Sequence, residues 1–178
     1  MSNLGYLKHI RLQTMGLHKT TGTLATASGK ALTPCALGTS GQTVFKKEGD
    51  GATPKGVWHP IMLYYRPDRL ASPQSGLPVR PLQKQFGWCD APTDRNYNRQ
   101  VNFPYPASAE TLWRESPVYD LIIILNHNQR PRVQGRGSAI FMHIAKPGFP
   151  PTEGCIALKK NDLLRLLPQI ARTTKIII

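Results

Sequence analysis

A chain of 178 residues, 40% of them apolar, can bury one sizeable core and is short for two domains. Its 23 basic against 10 acidic residues give a formal charge of +13, which favours anionic partners, but only Lys46-Lys47 and Lys159-Lys160 are adjacent. It therefore lacks the basic, aromatic-studded strip that marks a nucleic-acid binder. No run nears the ~18 apolar residues of a membrane span, and the start of the chain, from Met1 to Lys8, lacks the charged-then-apolar build of an export signal.

In chain order, the patterning predicts a mainly β single domain with short helices. Thr-rich and small-residue runs over 6–13, 20–27 and 31–38, punctuated by Gly16, Gly22, Gly29 and Gly38, read as short strands of edge hairpins. A polar link, Thr39 to Gln42, leads to Gly51-Ala-Thr53-Pro54-Lys-Gly56. This segment is either a turn before a strand over 57–65 or a wall of a binding site. The long proline-bearing stretch 66–106 is irregular, but Trp88, Tyr97, Phe103 and Tyr105 argue for an ordered lid or wall, because aromatic side chains bury large areas. Ser108 caps one or two predicted helical turns over 108–115. The run 119–125, rich in β-branched residues between Pro117 and Asn126, reads as a strand buried on both faces, with His127 in the turn after it. Near the end, Asn161 is the predicted N-cap of a helix over 161–170 that Pro168 helps to stop, and 175–178 is a closing strand.

Chemistry concentrates between Ser138 and Leu158. His143 and Cys155 sit on two apolar runs joined by a Gly/Pro loop, twelve residues apart, a spacing that suits neighbouring strands. Cysteine is an effective nucleophile only as the thiolate, and an imidazole in reach can take its proton and return it to a leaving amine. Gly154 lets a substrate approach the main chain, where the amides of Gly154 and Cys155 are expected to meet an oxyanion. The remaining cysteines are Cys35, read as a small buried side chain, and Cys89, which is structural, lines the site, or bridges to Cys35. No metal is expected, since His143, Glu153 and Cys155 form no C-x-x-C or H-x-x-x-H pattern, and no other cofactor is expected either.

These residues resemble the catalytic signature of the YkuD-type L,D-transpeptidase family, in which an upstream His is followed by Ser/Thr-x-Gly-Cys, here Thr152-Glu153-Gly154-Cys155. Gly51 to Gly56 resembles the family's G-x-T-P-x-G, and Gly87-Trp88-Cys89-Asp90, Tyr97-Asn98 and Gly135-Arg136-Gly137-Ser138 resemble one branch of it. Together the motifs cover roughly residues 40–178 and imply a YkuD-like β-sandwich or open barrel. The resemblance implies that Cys155 attacks the third residue of a peptidoglycan stem tetrapeptide, D-alanine leaves, and an amine of a second stem resolves the thioester to a cross-link. Water as acceptor would make the site an L,D-carboxypeptidase. A non-enzymatic polyanion-binding module is the remaining alternative. Substrate contacts are assigned to Thr152, Glu153, Trp88, Asp90, Tyr97, Asn98, Arg136 and Ser138, and Arg95 and Arg99 are placed to meet carboxylates. The family usually has a second His where this chain has Glu153, and Arg or Asn where it has Ala157. Support from Glu153, or polar contacts shifted to Arg136, is the expected compensation. The short loop after His143 implies an unusual acceptor, with a linkage at the first stem residue. A monomer in the periplasm or cell envelope is expected, with cytoplasmic action on recycled muropeptides as the alternative.

Overall fold

Leu121–Leu125 is apolar at every position and buried at every position, and the rest of the fold is arranged on both sides of it. The computed structural model describes residues 5–178; Met1 to Leu4, part of the stretch read for an export signal, lie outside the described residues. Numbered along the chain, the strands are β1 His9–Gln13, β2 Thr21–Thr26, β3 Ala31–Ala36, β4 Gln42–Thr43, β5 Thr53–Pro54, β6 Val57–Trp58, β7 Pro60–Tyr65 and β8 Val79–Pro81. They continue as β9 Phe86–Cys89, β10 Gln100–Asn102, β11 Ala109–Thr111, β12 Leu121–Leu125, β13 Phe141–Ile144, β14 Ile156–Leu158 and β15 Lys175–Ile177. One helix, α1 Lys160–Leu166, precedes β15.

Ten strands form one curled sheet in the order β6, β15, β1, β2, β3, β14, β13, β12, β7, β8. The architecture is mainly β, as the patterning predicts. β12 lies antiparallel between β7 and β13, with Ile122 opposite both Tyr64 and His143. β13 and β14 run parallel, His143 opposite Ala157. The predicted neighbouring strands for His143 and Cys155 are therefore present, with Cys155 one residue before β14.

Because strand side chains alternate faces, β12 divides its apolar residues between two cores. Leu121, Ile123 and Leu125 join Ile10, Leu24, Met142, Leu163 and Ile170 on the helix side. Ile122 and Ile124 join Phe141, Trp88, Tyr119 and Cys155 on the other. The same period puts His143 on the Phe141 face of β13, towards the sulfur. That face is covered by the second sheet, β10, β9, β11, so the predicted ordered wall from the 66–106 stretch is a small antiparallel sheet packed over the thiol.

Two predicted elements differ. Residues 109–111 are not helical turns but β11, whose Ala109, Glu110 and Thr111 pair with Cys89, Trp88 and Gly87. A helix nucleus in so short a segment is costly, whereas the free edge of β9 supplies main-chain partners at once. In α1 the cap position falls on Lys159, with no side-chain cap bond, and Asn161 lies inside the first turn. Asp162 is the polar residue that anchors the helix, accepting from Thr33 Oγ1 at 2.9 Å. Pro168 lies in the 3-10 turn Leu167–Gln169 that ends it. Cys35, Cys89 and Cys155 are all free thiols, Cys35 and Cys89 lying in different sheets.

Candidate active site

The turn that presents Cys155 is held by its own side chains. Thr152 Oγ1 donates to the Cys155 carbonyl at 2.7 Å and accepts the Gly154 N–H at 3.2 Å. The Thr152 main chain is pinned from outside, its N–H on Leu37 O and its carbonyl under Thr39 N–H, both at 2.8 Å. Gly154 has a φ of +126°, closed to side-chain-bearing residues. The Gly154 amide, expected to meet an oxyanion, already donates to Thr152 Oγ1 within the turn.

Cys155 and His143 line one cleft of about 550 Å³. The sulfur donates to Ala139 O at 3.1 Å and accepts the Phe141 N–H at 3.4 Å. His143 Nδ1 donates to Ile144 O at 3.0 Å, which leaves the lone pair on Nε2. The two groups do not hydrogen-bond to each other in this state. Burial pushes the Cys155 thiol up to about 12 and holds His143 down at about 4. At neutral pH both are therefore uncharged.

Three neighbours that the linear pattern did not reveal complete the floor. Tyr119 packs edge-on against the His143 ring, centroids 5.2 Å apart, and its hydroxyl donates to Glu110 Oε1 at 2.6 Å. Arg114 donates to the same oxygen at 2.6 Å while its guanidinium lies 4.4 Å over the Tyr119 ring. Burial raises the Glu110 carboxyl above its usual range, with Tyr119 and Arg114 pulling it back. A tyrosine at the polar end of an apolar run was the one available cue, since a buried hydroxyl needs a partner.

Of the residues assigned to substrate, Thr152, Glu153, Asp90 and Ser138 line the cleft with the thiol and imidazole. Trp88, Tyr97 and Asn98 are buried behind it. Asn98 Oδ1 accepts from Trp88 Nε1 at 2.9 Å and from Ala139 N–H at 3.1 Å, while its amide donates to the carbonyls of His127 and Asn128. It thus ties the small sheet to Ala139, whose carbonyl accepts the thiol's hydrogen bond. Tyr97 donates to Glu48, a further lining residue. Arg136, Arg95 and Arg99 are exposed and outside the lining. His127 is structural, its ring edge-on to Trp58 and its Nε2 bonded to Arg136 O at 2.9 Å. Among the described residues, no group of three or more His, Cys, Asp or Glu is placed to hold a metal, and no helix is long and apolar enough to cross a membrane.

The neutral imidazole makes a testable contribution to stability. His143 takes up a proton near 4 when folded and near 6.5 when unfolded, so the unfolded chain binds more protons between these values. Its contribution is complete above pH 6.5 and is lost as pH falls towards 4, by roughly 3 kcal/mol in all. Urea midpoints measured from pH 4 to 7 are expected to fall less steeply for His143→Asn than for the wild type. Parallel curves would refute the assignment.

Comparison with known families gives one result. The model of the YkuD family, the L,D-transpeptidase catalytic domain, matches residues 16–178. No curated protein and no solved structure is significantly similar to the chain.

Proposed function

Because the chain belongs to the YkuD family of L,D-transpeptidase catalytic domains, we propose that it cross-links peptidoglycan stem peptides through a Cys155 thioester. The observation that carries this reading is that the Cys155 thiol and the His143 imidazole line one cleft, His143 on β13 and Cys155 at the entry to its parallel neighbour β14. In the first step the thiol leaves the Ala139 carbonyl, its proton passes to His143 Nε2, and sulfur bonds to the carbonyl carbon of the third stem residue. The C–N bond to D-alanine breaks, and the imidazolium returns the proton to that amine. An acceptor amine then attacks the thioester, forming the amide and releasing sulfur to recover its proton. The Cys155 amide meets the negative oxygen, an effect typically worth ~3 kcal/mol for a well-placed donor. The expected place of this activity is the cell envelope, with cytoplasmic action on recycled muropeptides as the alternative.

Charge supports an enzyme over a polyanion-binding module. Glu48, Asp90, Glu110 and Glu153 line the cleft, four of the chain's ten acidic residues, against only Arg114 and Lys146. A polyanion would be repelled from that surface. The test is incubation with defined tetrapeptide muropeptides: cross-linked dimers with one D-alanine released per dimer are expected. D-alanine release without dimers would make the protein an L,D-carboxypeptidase. Sequencing of the dimers separates linkage at the first stem residue from linkage at the third. A carbapenem is expected to add once, at Cys155, in the intact-protein mass, and no adduct together with salt-sensitive polyanion binding would favour the module.

A further inference from the structure

Lys46 is only 6% exposed, an unusual position for a lysine, and the chemistry above makes no use of it. It lies between β4 and β5, and its ammonium is paired with Asp50. The Asp50 carboxylate is fixed in turn by the N–H groups of Lys47 at 2.8 Å and Ala52 at 2.9 Å. The lysine stem passes behind two glycines that frame the site. A methyl at Gly137, next to cleft-lining Ser138, would stand 2.8 Å from Lys46 Cγ, and one at Gly154, next to Cys155, would stand 3.3 Å from Nζ. Both glycines have positive φ, +90° and +126°. An apolar side chain would fill this space without the desolvation cost of an ammonium, so packing alone does not account for a charge there.

We propose that Lys46 is a positioning residue of the reaction centre, a fixed ammonium held by Asp50 behind the Gly154 turn that favours negative charge on the Cys155 sulfur. This rests on the reading of Cys155 as the nucleophile. The charged and titratable groups around the sulfur are Glu110 and Tyr119 on the floor, Arg114 beside them, His143 on β13, Glu48, Asp90, Lys146 and Glu153 elsewhere in the lining, and the Lys46–Asp50 pair behind. Burial, then Glu110, oppose the thiolate, while the Phe141 N–H, then Lys46 and Arg114, favour it. Both cations are ion-paired, Arg114 with Glu110 and Lys46 with Asp50, but Glu110 itself faces the sulfur, whereas Lys46 stands against the Gly154 turn.

The experiment reads the thiol directly, by the rate of Cys155 alkylation with iodoacetamide between pH 7 and 10, mapped by peptide mass against Cys35 and Cys89. Lys46→Met is expected to slow alkylation about tenfold at each pH, which corresponds to a one-unit upward shift of the thiol. Lys46→Arg is expected to retain the wild-type rate. Asp50→Asn leaves the ammonium uncompensated and is expected to speed alkylation, a change of opposite sign that decides the matter if Lys46→Met fails to fold. Wild-type rates in folded Lys46→Met, or no acceleration in folded Asp50→Asn, would overturn the proposal. Alkylation reports the ionisation of Cys155 whether or not acyl transfer occurs. A protein inactive on muropeptides but with these shifts would sink the functional reading and leave Lys46 in its role.

Discussion

Cys155→Ser is expected to reduce muropeptide turnover by roughly 10⁴-fold or more while leaving the fold intact, because a serine hydroxyl is far harder to deprotonate than a thiol and a weaker nucleophile towards the stem carbonyl. The substitution is nearly isosteric, and oxygen can keep both contacts of the sulfur, donating towards Ala139 O and accepting from Phe141 N–H. Stability should therefore change by no more than about 1 kcal/mol. Activity has no such refuge. The thiol is already hard to ionise here, pushed up to about 12, and an alcohol in the same apolar surroundings is harder still. His143→Asn is expected to cost less, roughly 10²–10⁴-fold, since it removes the proton carrier and keeps the nucleophile. Chromatography of reaction products gives the rates, and intact mass after carbapenem exposure gives the acylation half-reaction alone. Turnover above about one per cent in Cys155→Ser, with native circular dichroism, would show that the sulfur is not the attacking group.

How far the site could be read from the linear chain follows from how local its parts are. Thr152, Gly154 and Cys155 lie within one turn, and their roles depend on chemistry that a short pattern expresses: a hydroxyl that closes the turn, a residue without Cβ, a thiol. His143 was legible because it lies on an apolar run twelve residues before Cys155, a spacing that suits neighbouring strands. Glu110, Tyr119 and Arg114 were not. Glu110 and Arg114 reach the cleft because residues 109–111 add to the edge of β9, and Tyr119 enters from the 3-10 turn before β12; edge pairing across about twenty residues leaves no periodic trace in so short a segment. Asn98 and Trp88 were singled out as substrate contacts, yet they act from behind, holding Ala139 and the small sheet in place. A buried amide and indole are as well suited to joining two layers as to binding a peptide, and only the three-dimensional arrangement separates these uses. The parallel pairing of β13 with β14 was equally hidden, since the connection between them looks in sequence like a hairpin loop.

Gly154→Ala is expected to combine the second-largest loss of activity with a loss of stability, for a reason that concerns backbone alone. At φ +126° an L-residue is strained by about 1–3 kcal/mol. The added methyl would also stand 2.7 Å from the Ala52 carbonyl oxygen, and 3.3 Å from the Lys46 ammonium. Ala52 is buried and its N–H is held by Asp50, so the carbonyl cannot yield, and it is the turn that must move. Overpacking of this kind adds roughly 1–3 kcal/mol. Movement of the turn carries the Cys155 amide and sulfur away from the developing oxyanion, at an expected cost of about 10²–10³-fold in kcat. Gly29→Ala is the control, because Gly29 also has positive φ, at +85°, but lies in the β2–β3 turn with nothing within 4 Å of the new methyl. It is expected to lose about 1 kcal/mol and no activity. Thermal melts and muropeptide rates on both variants distinguish the two effects. Wild-type kcat in folded Gly154→Ala would mean that the main chain at this turn takes no part in stabilising the oxyanion.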